Sequence, residues 1–170
     1  MSRRPAPCAW RTSPSPRIAD MVTWVLTGSP ENFAATREHG FTVIGLKERR
    51  RSFAEQIEPG DRIVFYLTKV GAFGATVRVT GELFEDRSPV WPGKPGKVDS
   101  YPWRFPTEPE IVLDEGDWVP AEQLKDNLQH VAKWPPEHWK LAFQGQIRKV
   151  SDSDATLLVD RLSAAGGVAA

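Results

Sequence analysis

Pro59-Gly-Asp-Arg-Ile-Val-Phe-Tyr-Leu-Thr-Lys-Val-Gly-Ala-Phe-Gly-Ala-Thr-Val-Arg-Val-Thr-Gly-Glu-Leu-Phe-Glu-Asp86 reads as two long strands joined by a short Lys69-Val70-Gly71 turn. Ile63, Phe65 and Leu67 fall on one face, and Phe73, Ala75, Val77 and Val79 alternate with more polar neighbours, the period-two pattern of a half-buried strand. Two such strands cannot bury an apolar face alone, so the strand-like runs at 23–27, 41–46, 110–114 and 145–150 are expected to close over them. The expected architecture is α+β: a small, mostly antiparallel barrel of five to six strands with several short helices.

At 170 residues the chain fits one domain with room for a real core. The only cysteine, Cys8, lies in a Pro/Arg/Ser-rich stretch, which leaves no disulfide framework and no cysteine zinc site. A reducing, cytoplasmic setting is therefore expected. No apolar run approaches the roughly 18–20 residues needed to span a bilayer, and residues 1–20 lack the apolar centre of a signal peptide. With Arg3, Arg4, Arg11, Arg17 and four prolines, residues 1–20 are expected to be a disordered extension, and Met21 is a candidate start of translation. The folded domain is expected over 21–163, with a flexible tail at 164–170. Lys+Arg and Asp+Glu balance at 22 each, and removing residues 1–20 takes away four basic residues and one acidic one. A mildly acidic remainder argues against holding long nucleic acid mainly through phosphates, so such contact is confined to one patch or one nucleotide.

Punctuation between the strands predicts the helices. Ser29 is placed to N-cap, Pro30 suits the first helical position, and Gly40 closes a helix containing Phe33 and Ala35. Ser52-Phe53-Ala54-Glu55 has capping-box spacing, residues 120–131 predict a helix with Leu124, Leu128 and Val131 on one side, and Ser151 caps a last helix with Leu157, Leu158, Val159 and Leu162. Residues 87–107, with five prolines and the rings of Trp91, Tyr101, Trp103 and Phe105, read as a long loop folded onto the barrel.

Catalytic patterns do not emerge. His39, His130 and His138 lack metal-ligand spacing, and Gly93-Lys94-Pro95-Gly96-Lys97 lacks the order of a phosphate loop and reads as a turn. Asp61, Asp86, Glu110 and Asp114 sit at strand ends, where carboxylates are commonplace. Seven tryptophans are the unusual feature. Flat rings from two or three of them can sandwich a base or cage a methylated group. Core filling is the commoner role for Trp24, Trp118, Trp134 and Trp139, whereas packing alone rarely calls for Trp91, Tyr101 and Trp103 together in one loop. The run Lys47-Glu48-Arg49-Arg50-Arg51 is either a solvated turn or a phosphate contact beside such a pocket, and Arg104 beside Trp103 has the same two readings.

Trp24-Val-Leu-Thr-Gly-Ser-Pro-Glu-Asn-Phe33, Gly40-Phe41 with Val43-Ile44-Gly45-Leu46, Gly60-Asp61-Arg-Ile-Val-Phe-Tyr66, Phe73-Gly-Ala-Thr76, Trp103-Arg104-Phe105 and Gln144-Gly145-Gln146-Ile147 with Ser151 and Asp154 together resemble the EVE domain. That family belongs to the PUA-like superfamily and is related to YTH and ASCH domains. The resemblance covers residues 24–162 and implies a closed or nearly closed mixed PUA-like β-barrel. It also implies a pocket for a modified base in DNA or RNA, with no catalytic activity and no cofactor. Carried over by position, it implies a base site from Ser29, Asn32, Phe41 and Thr42 with Trp91 or Trp103, and the expected site also takes in the rings of Trp24 and Tyr101. Phe41 stands where the YTH family has a cage Trp, and the opposite wall is Trp91 or Trp103. Lys47, Arg49, Arg50, Arg51 and Arg104 would hold flanking phosphates. The expectation is a monomeric, non-membrane reader of a methylated or hydroxymethylated base. Its rivals are a nuclease-like or nucleotide-processing enzyme, with acidic residues converging in the pocket, and a protein-interaction module displaying the aromatic loop as a flat patch.

Overall fold

The computed structural model describes residues 21–92 and 100–166. The expectations for residues 1–20, for the Gly93–Lys97 turn and for the last four residues of the tail lie outside them.

Eight strands form one strongly twisted sheet curled into a half-barrel. They are β1 (Thr23–Gly28), β2 (Val43–Leu46), β3 (Arg62–Leu67), β4 (Ala72–Val79), β5 (Phe84–Glu85), β6 (Trp103–Val112), β7 (Val119–Pro120) and β8 (Ile147–Val150). The path runs β2-β6-β4-β3-β1-β8, with β5 paired to β6 and β7 to β4. Every pairing is antiparallel except β1 with β3. Central to it is the expected hairpin of β3 and β4, turned through Lys69 at φ 67° and Gly71 at φ 72°.

Alternation along these strands divides the core in two. Trp24, Leu26, Ile63, Phe65, Leu67, Ala75 and Val77 fill the concave side, with Phe33 and Phe41 from beyond the sheet. Val25, Val64, Tyr66 and Phe73 face the other way, beneath a cover of short helical turns and α4 (Asp152–Gly166). Each large apolar side chain so buried contributes ~1.5–3 kcal/mol. Both faces are therefore dry along β3 and β4, and the pattern in sequence is closer to continuous than to a clean alternation.

The strands at the two ends of the path, β2 and β8, share no ladder. Gln146, just before β8, joins them with its side chain: its Nε2 donates to Gly45 O (3.3 Å) and its Oε1 accepts from Lys47 N (2.7 Å). The barrel is closed at this point by one carboxamide in place of a row of backbone bonds.

Helix α1 (Pro30–Glu38) follows the expectation, with Ser29 Oγ accepting from Asn32 N (3.1 Å). Ser151 likewise caps α4, accepting from Asp154 N (3.2 Å), but α4 continues through residues 164–166 where coil was expected.

Three other expectations are corrected. The helical turn α2 (Arg51–Ala54) begins one residue before Ser52, and Glu55 pairs with Arg51 (3.0 Å), so no capping box forms. Residues 120–131 are two 3-10 turns and a one-turn helix, α3 (Gln129–Ala132). Leu124, Leu128 and Val131 are buried by this irregular path, not by a helical stripe. Strand β6 starts at Trp103 and runs ten residues, taking in the end of the expected loop 87–107 and most of the expected strand 110–114. Its prolines are tolerated because Pro106 still offers its carbonyl to Thr80 N, and Pro109 sits at a register shift opposite Val77.

Candidate functional site: an aromatic cleft at the barrel mouth

The parallel strands β1 and β3 end side by side, Gly28 opposite Leu67, and α1 begins immediately beyond. Between these ends and the middle of β2 opens a cleft of about 410 Å³, counting the space at its mouth. Leu26, Phe33, Ile44, Phe65 and Leu67 supply apolar walls, Trp91 and Tyr101 supply rings, and Thr27, Ser29, Asn32, Thr36 and Gln146 supply polar groups. No carboxylate, histidine, cysteine or amine is among these lining side chains.

Trp91 is fixed on three sides. Its Nε1 donates to Thr36 Oγ1 (2.8 Å), and that hydroxyl in turn donates to Asn32 O (3.0 Å). Its ring lies edge-on to Tyr101 at 5.6 Å, with the Arg104 guanidinium 5.1 Å from its centre. Beneath it is Gly45: a Cβ there would stand 2.6 Å and 2.8 Å from two ring carbons of Trp91 and 2.9 Å from Tyr101 O. Only a glycine lets the indole lie this close to strand β2.

Tyr101 adopts φ 48°, a left-handed conformation that costs an ordinary residue ~1 kcal/mol or more. Arg104 holds it there. Arg104 Nε donates to Tyr101 O (3.1 Å), and the two terminal nitrogens donate to Ser88 Oγ, Ser88 O and Ser100 O. The segments on either side of residues 93–99 are thus tied to one guanidinium, and Asp86 lies 3.6 Å from it. Burial pulls Arg104 below its ordinary value, and the Asp86 charge opposes that pull.

Asn32, in the first turn of α1, donates through Nδ2 to the Tyr101 hydroxyl (3.0 Å). Its Oδ1 is buried and accepts from no described residue. A buried acceptor without a donor costs about 1–3 kcal/mol. It is the feature of the cleft that intramolecular bonding leaves unsatisfied.

Of the base-site residues expected from sequence, Ser29, Asn32, Trp91 and Tyr101 come together in the cleft. The other four do not. Trp24 is 1% exposed and its indole donates to the buried Asp61 carboxylate (3.1 Å), so it belongs to the floor of the barrel. Phe41, at φ 57° and 3% exposed, packs edge-on behind Phe33 (5.4 Å) and Phe65 (5.9 Å), one layer back from the cleft wall. Thr42 is exposed and donates to His39 O (2.6 Å), completing the end of α1. Trp103 does not line the cleft: it donates to Glu48 O (2.8 Å) past the end of β2, with Arg51 and Arg87 over its ring.

The phosphate candidates divide too. Arg104 is a buried clasp with a side chain 2% exposed, which removes it as a phosphate contact. Arg51 is held by Glu55 and lies 4.9 Å from the Trp103 ring centre. Arg49 is exposed, Arg50 is half-buried, and Lys47 anchors the sheet closure through its backbone N–H. The four carboxylates are scattered: Asp61 accepts from Val22 N, Trp24 Nε1 and Glu58 N, Glu110 binds Arg62 and Arg78, Asp86 lies beside Arg104, and Asp114 is exposed near Arg37. Among the described residues no group of three or more His, Cys, Asp or Glu is placed to hold a metal ion, and no helix is long and apolar enough to cross a membrane.

Sequence reasoning placed none of Gly45, Thr36, Phe33, Phe65 or Gln146 in the site. A lone glycine inside strand β2 was the available signal, since it marks close approach by another group. The others declare themselves only when α1, β3 and β8 are brought together.

The architecture is a curled α+β half-barrel with a ring-lined cleft at its mouth. The EVE domain model matches residues 22–161, and the chain belongs to the EVE domain family. No curated protein matches in sequence. Similar solved structures include a hypothetical protein from Leishmania major (14% identity, TM-score 0.59, covering 87% of this chain and 98% of that one). The YTH domain of the Zygosaccharomyces rouxii MRB1 protein, in complex with N6-methyladenosine RNA, is 13% identical with a TM-score of 0.58, over 83% of this chain and 86% of that one. Rpa0253 from Rhodopseudomonas palustris is 12% identical with a TM-score of 0.53, over 86% and 94%. At these identities the likeness is one of fold.

Proposed function

We propose that this protein is a non-catalytic reader that takes a single modified base, extruded from DNA or RNA, into the cleft between Trp91, Tyr101 and the first turn of α1. The observation that carries this reading is the unsatisfied Asn32 Oδ1 buried among rings. A nucleobase offers a flat face to the rings and an N–H edge to that oxygen, and each base–aromatic stack contributes about 1–3 kcal/mol. Ser29 Oγ is committed to capping α1 and its carbonyl accepts from Phe33 N, so it would contribute shape to the rim. Methylation adds apolar surface to the base, which the aliphatic walls of Leu26, Ile44 and Leu67 suit, and the hydroxyl of a hydroxymethyl group would need one of the polar lining groups. The YTH domain solved with N6-methyladenosine RNA shares the fold and supports the choice of ligand class.

The described lining residues supply no carboxylate, histidine, cysteine or amine, which weighs against the nuclease-like alternative. The rings of 87–107 turn inward and so do not offer the flat patch of a protein-interaction module. Titration with oligonucleotides carrying N6-methyladenine, 5-methylcytosine or 5-hydroxymethylcytosine, and with their plain counterparts, tests the reading. At least one modified strand is expected to bind tenfold or more tightly than its plain form, and to lose that margin in Trp91→Ala. Equal affinity for all strands, or none at low salt, overturns it. The same titrations in DNA and RNA backbones decide between the two, and a cytoplasmic, monomeric state is checked by fractionation and light scattering.

A further inference from the structure

Gly145, at φ 81°, turns the chain into β8 immediately before Gln146, which lines the cleft. Two arginines from separate parts of the sequence converge on this turn. A Cβ on Gly145 would lie 3.3 Å from a terminal nitrogen of Arg50, and 3.5 Å from both Nε and a terminal nitrogen of Arg148. Two guanidinium groups this near one point repel each other unless an anion lies between or beside them. Nothing described supplies one. The carboxylates of the same segment, Glu48 and Glu55, are engaged by Arg87 and Arg51. Arg148 Nε donates to Gln144 O (2.9 Å), whereas Arg50 Nε is buried and donates to no described residue. The side chain of Gln146, one residue on, is locked by Gly45 and Lys47, so the arginine pair and the cleft are mounted on one rigid closure.

We propose that Arg50 and Arg148 together form a phosphodiester site that holds the nucleic-acid backbone next to the base in the cleft. Guanidinium groups present paired N–H donors that match the oxygens of a phosphate, and a pair approaching from two sides fixes its position as well as its charge. Arg148 has no counterpart in the basic run at residues 47–51, and only the fold brings it to Arg50. Of the phosphate contacts expected from sequence, Arg50 is the one that meets Arg148 at Gly145, while Arg51 is engaged by Glu55 and Arg104 is buried. This inference rests on the base-reading proposal for the identity of its ligand, and the following arms separate the two.

The first arm follows the arginine Nε–Hε signals of the full chain by NMR during titration with inorganic phosphate. Signals of Arg50 and Arg148 are expected to shift in the wild type, and the Arg50 signal is expected to stop responding in Arg148→Gln. The second arm measures affinity for a single-stranded N6-methyladenine oligonucleotide across salt concentration. Each of Arg50→Gln and Arg148→Gln is expected to weaken binding about tenfold at low salt. Each is also expected to lower the salt slope by about 0.7. Arg148→Lys should keep the slope but not the full affinity. A third arm uses N6-methyladenosine nucleoside, which has no phosphate, and its affinity is expected to be the same in wild type and both variants. Unshifted arginine signals overturn the anion site whatever the oligonucleotide does. Unchanged oligonucleotide slopes overturn its role in strand binding. Failure of nucleosides to perturb Asn32 or Tyr101, with the first two arms intact, counts against the base cleft and leaves the phosphate site standing.

Discussion

Gly45→Ala displaces one wall of the cleft without removing a single group that could touch a ligand. The new methyl would stand 2.6 Å and 2.8 Å from Trp91 ring carbons and 2.9 Å from Tyr101 O. Carbon atoms settle near 3.5–4.0 Å, so the indole must retreat by about 1 Å. Such a shift stretches the 2.8 Å bond from Trp91 Nε1 to Thr36 Oγ1 beyond useful range, a loss of ~0.5–1.5 kcal/mol. Overpacking in a tight core costs about 1–3 kcal/mol in total, partly offset by ~0.4–1 kcal/mol from stiffening the unfolded chain. A net destabilisation of about 1–2 kcal/mol by urea denaturation leaves the domain folded. Binding should suffer more. Loss of one ring contact removes ~1–3 kcal/mol, roughly a 5- to 150-fold weaker complex with the preferred modified oligonucleotide. Fluorescence anisotropy reads the affinity. Gly116→Ala is the control, because a Cβ at Gly116 meets nothing within 4 Å. If Gly45→Ala binds the same strand within twofold of wild type while folded, Trp91 is not a wall of the site and the reasoning fails.

Further outcomes follow from other parts of the structure. Asn32→Asp retains an acceptor but loses the donor to Tyr101, and Asn32→Ala loses both. Both variants should bind modified oligonucleotides at least tenfold more weakly, with the plain-strand affinity nearly unchanged, as anisotropy would register. Asp61→Ala strands the donors of Val22, Trp24 and Glu58 and should cost about 3–5 kcal/mol in urea denaturation, with Asp61→Asn recovering part of it. Burial holds the His130 imidazole below its ordinary value, aided by the charges of Lys133 and Arg148 and opposed by the bond to Ala142 O and the Asp154 charge. The unfolded chain therefore takes up a proton first as pH falls. The contribution of His130 is fully present above about pH 6.5 and is lost as pH drops from there through the lower folded value. Denaturation midpoints at pH 7.5 and 5.5 should differ less in His130→Gln than in the wild type. Glu110 adds a second, more acidic window. Burial alone would raise it, but hydrogen bonds and charge from Arg62 and Arg78 hold it below the ordinary carboxylate value, and that stability is lost as pH falls through the folded value. Arg62→Gln should flatten this acid limb.

The hairpin of β3 and β4, the Ser29-Pro30 helix start and the Ser151 cap were legible in sequence because each depends on neighbours within a few residues. Phe73, however, packs on the face opposite Ala75, Val77 and Val79 because the register shifts along the hairpin. The order of motifs also gave the family, and of the residues expected at the site Ser29, Asn32, Trp91 and Tyr101 line one cleft. Local signals misread β6, whose prolines look like breakers until the partner strands show which N–H groups the sheet does without. They also made the 120–131 stretch a helix on the strength of three apolar residues that an irregular path buries equally well.

Composition and spacing could say that rings, amides and arginines were present, but not which way they point. Trp24 and Trp91 are the same residue type with opposite fates: one gives its N–H to Asp61 in the floor, and the other gives it to Thr36 at the mouth. Phe41 falls behind the wall because Phe33 and Phe65 already fill the front rank, and Arg104 turns inward to hold Tyr101. Arg148 reaches Arg50 only because β1 carries β8 to the free edge of β2, where Gln146 bridges the gap. The chain alone determined the central hairpin, the caps at Ser29 and Ser151 and the family. Which side chains share a cavity was decided by tertiary closure, since contacts between residues up to a hundred positions apart depend on how the sheet curls and leave no mark on local pattern.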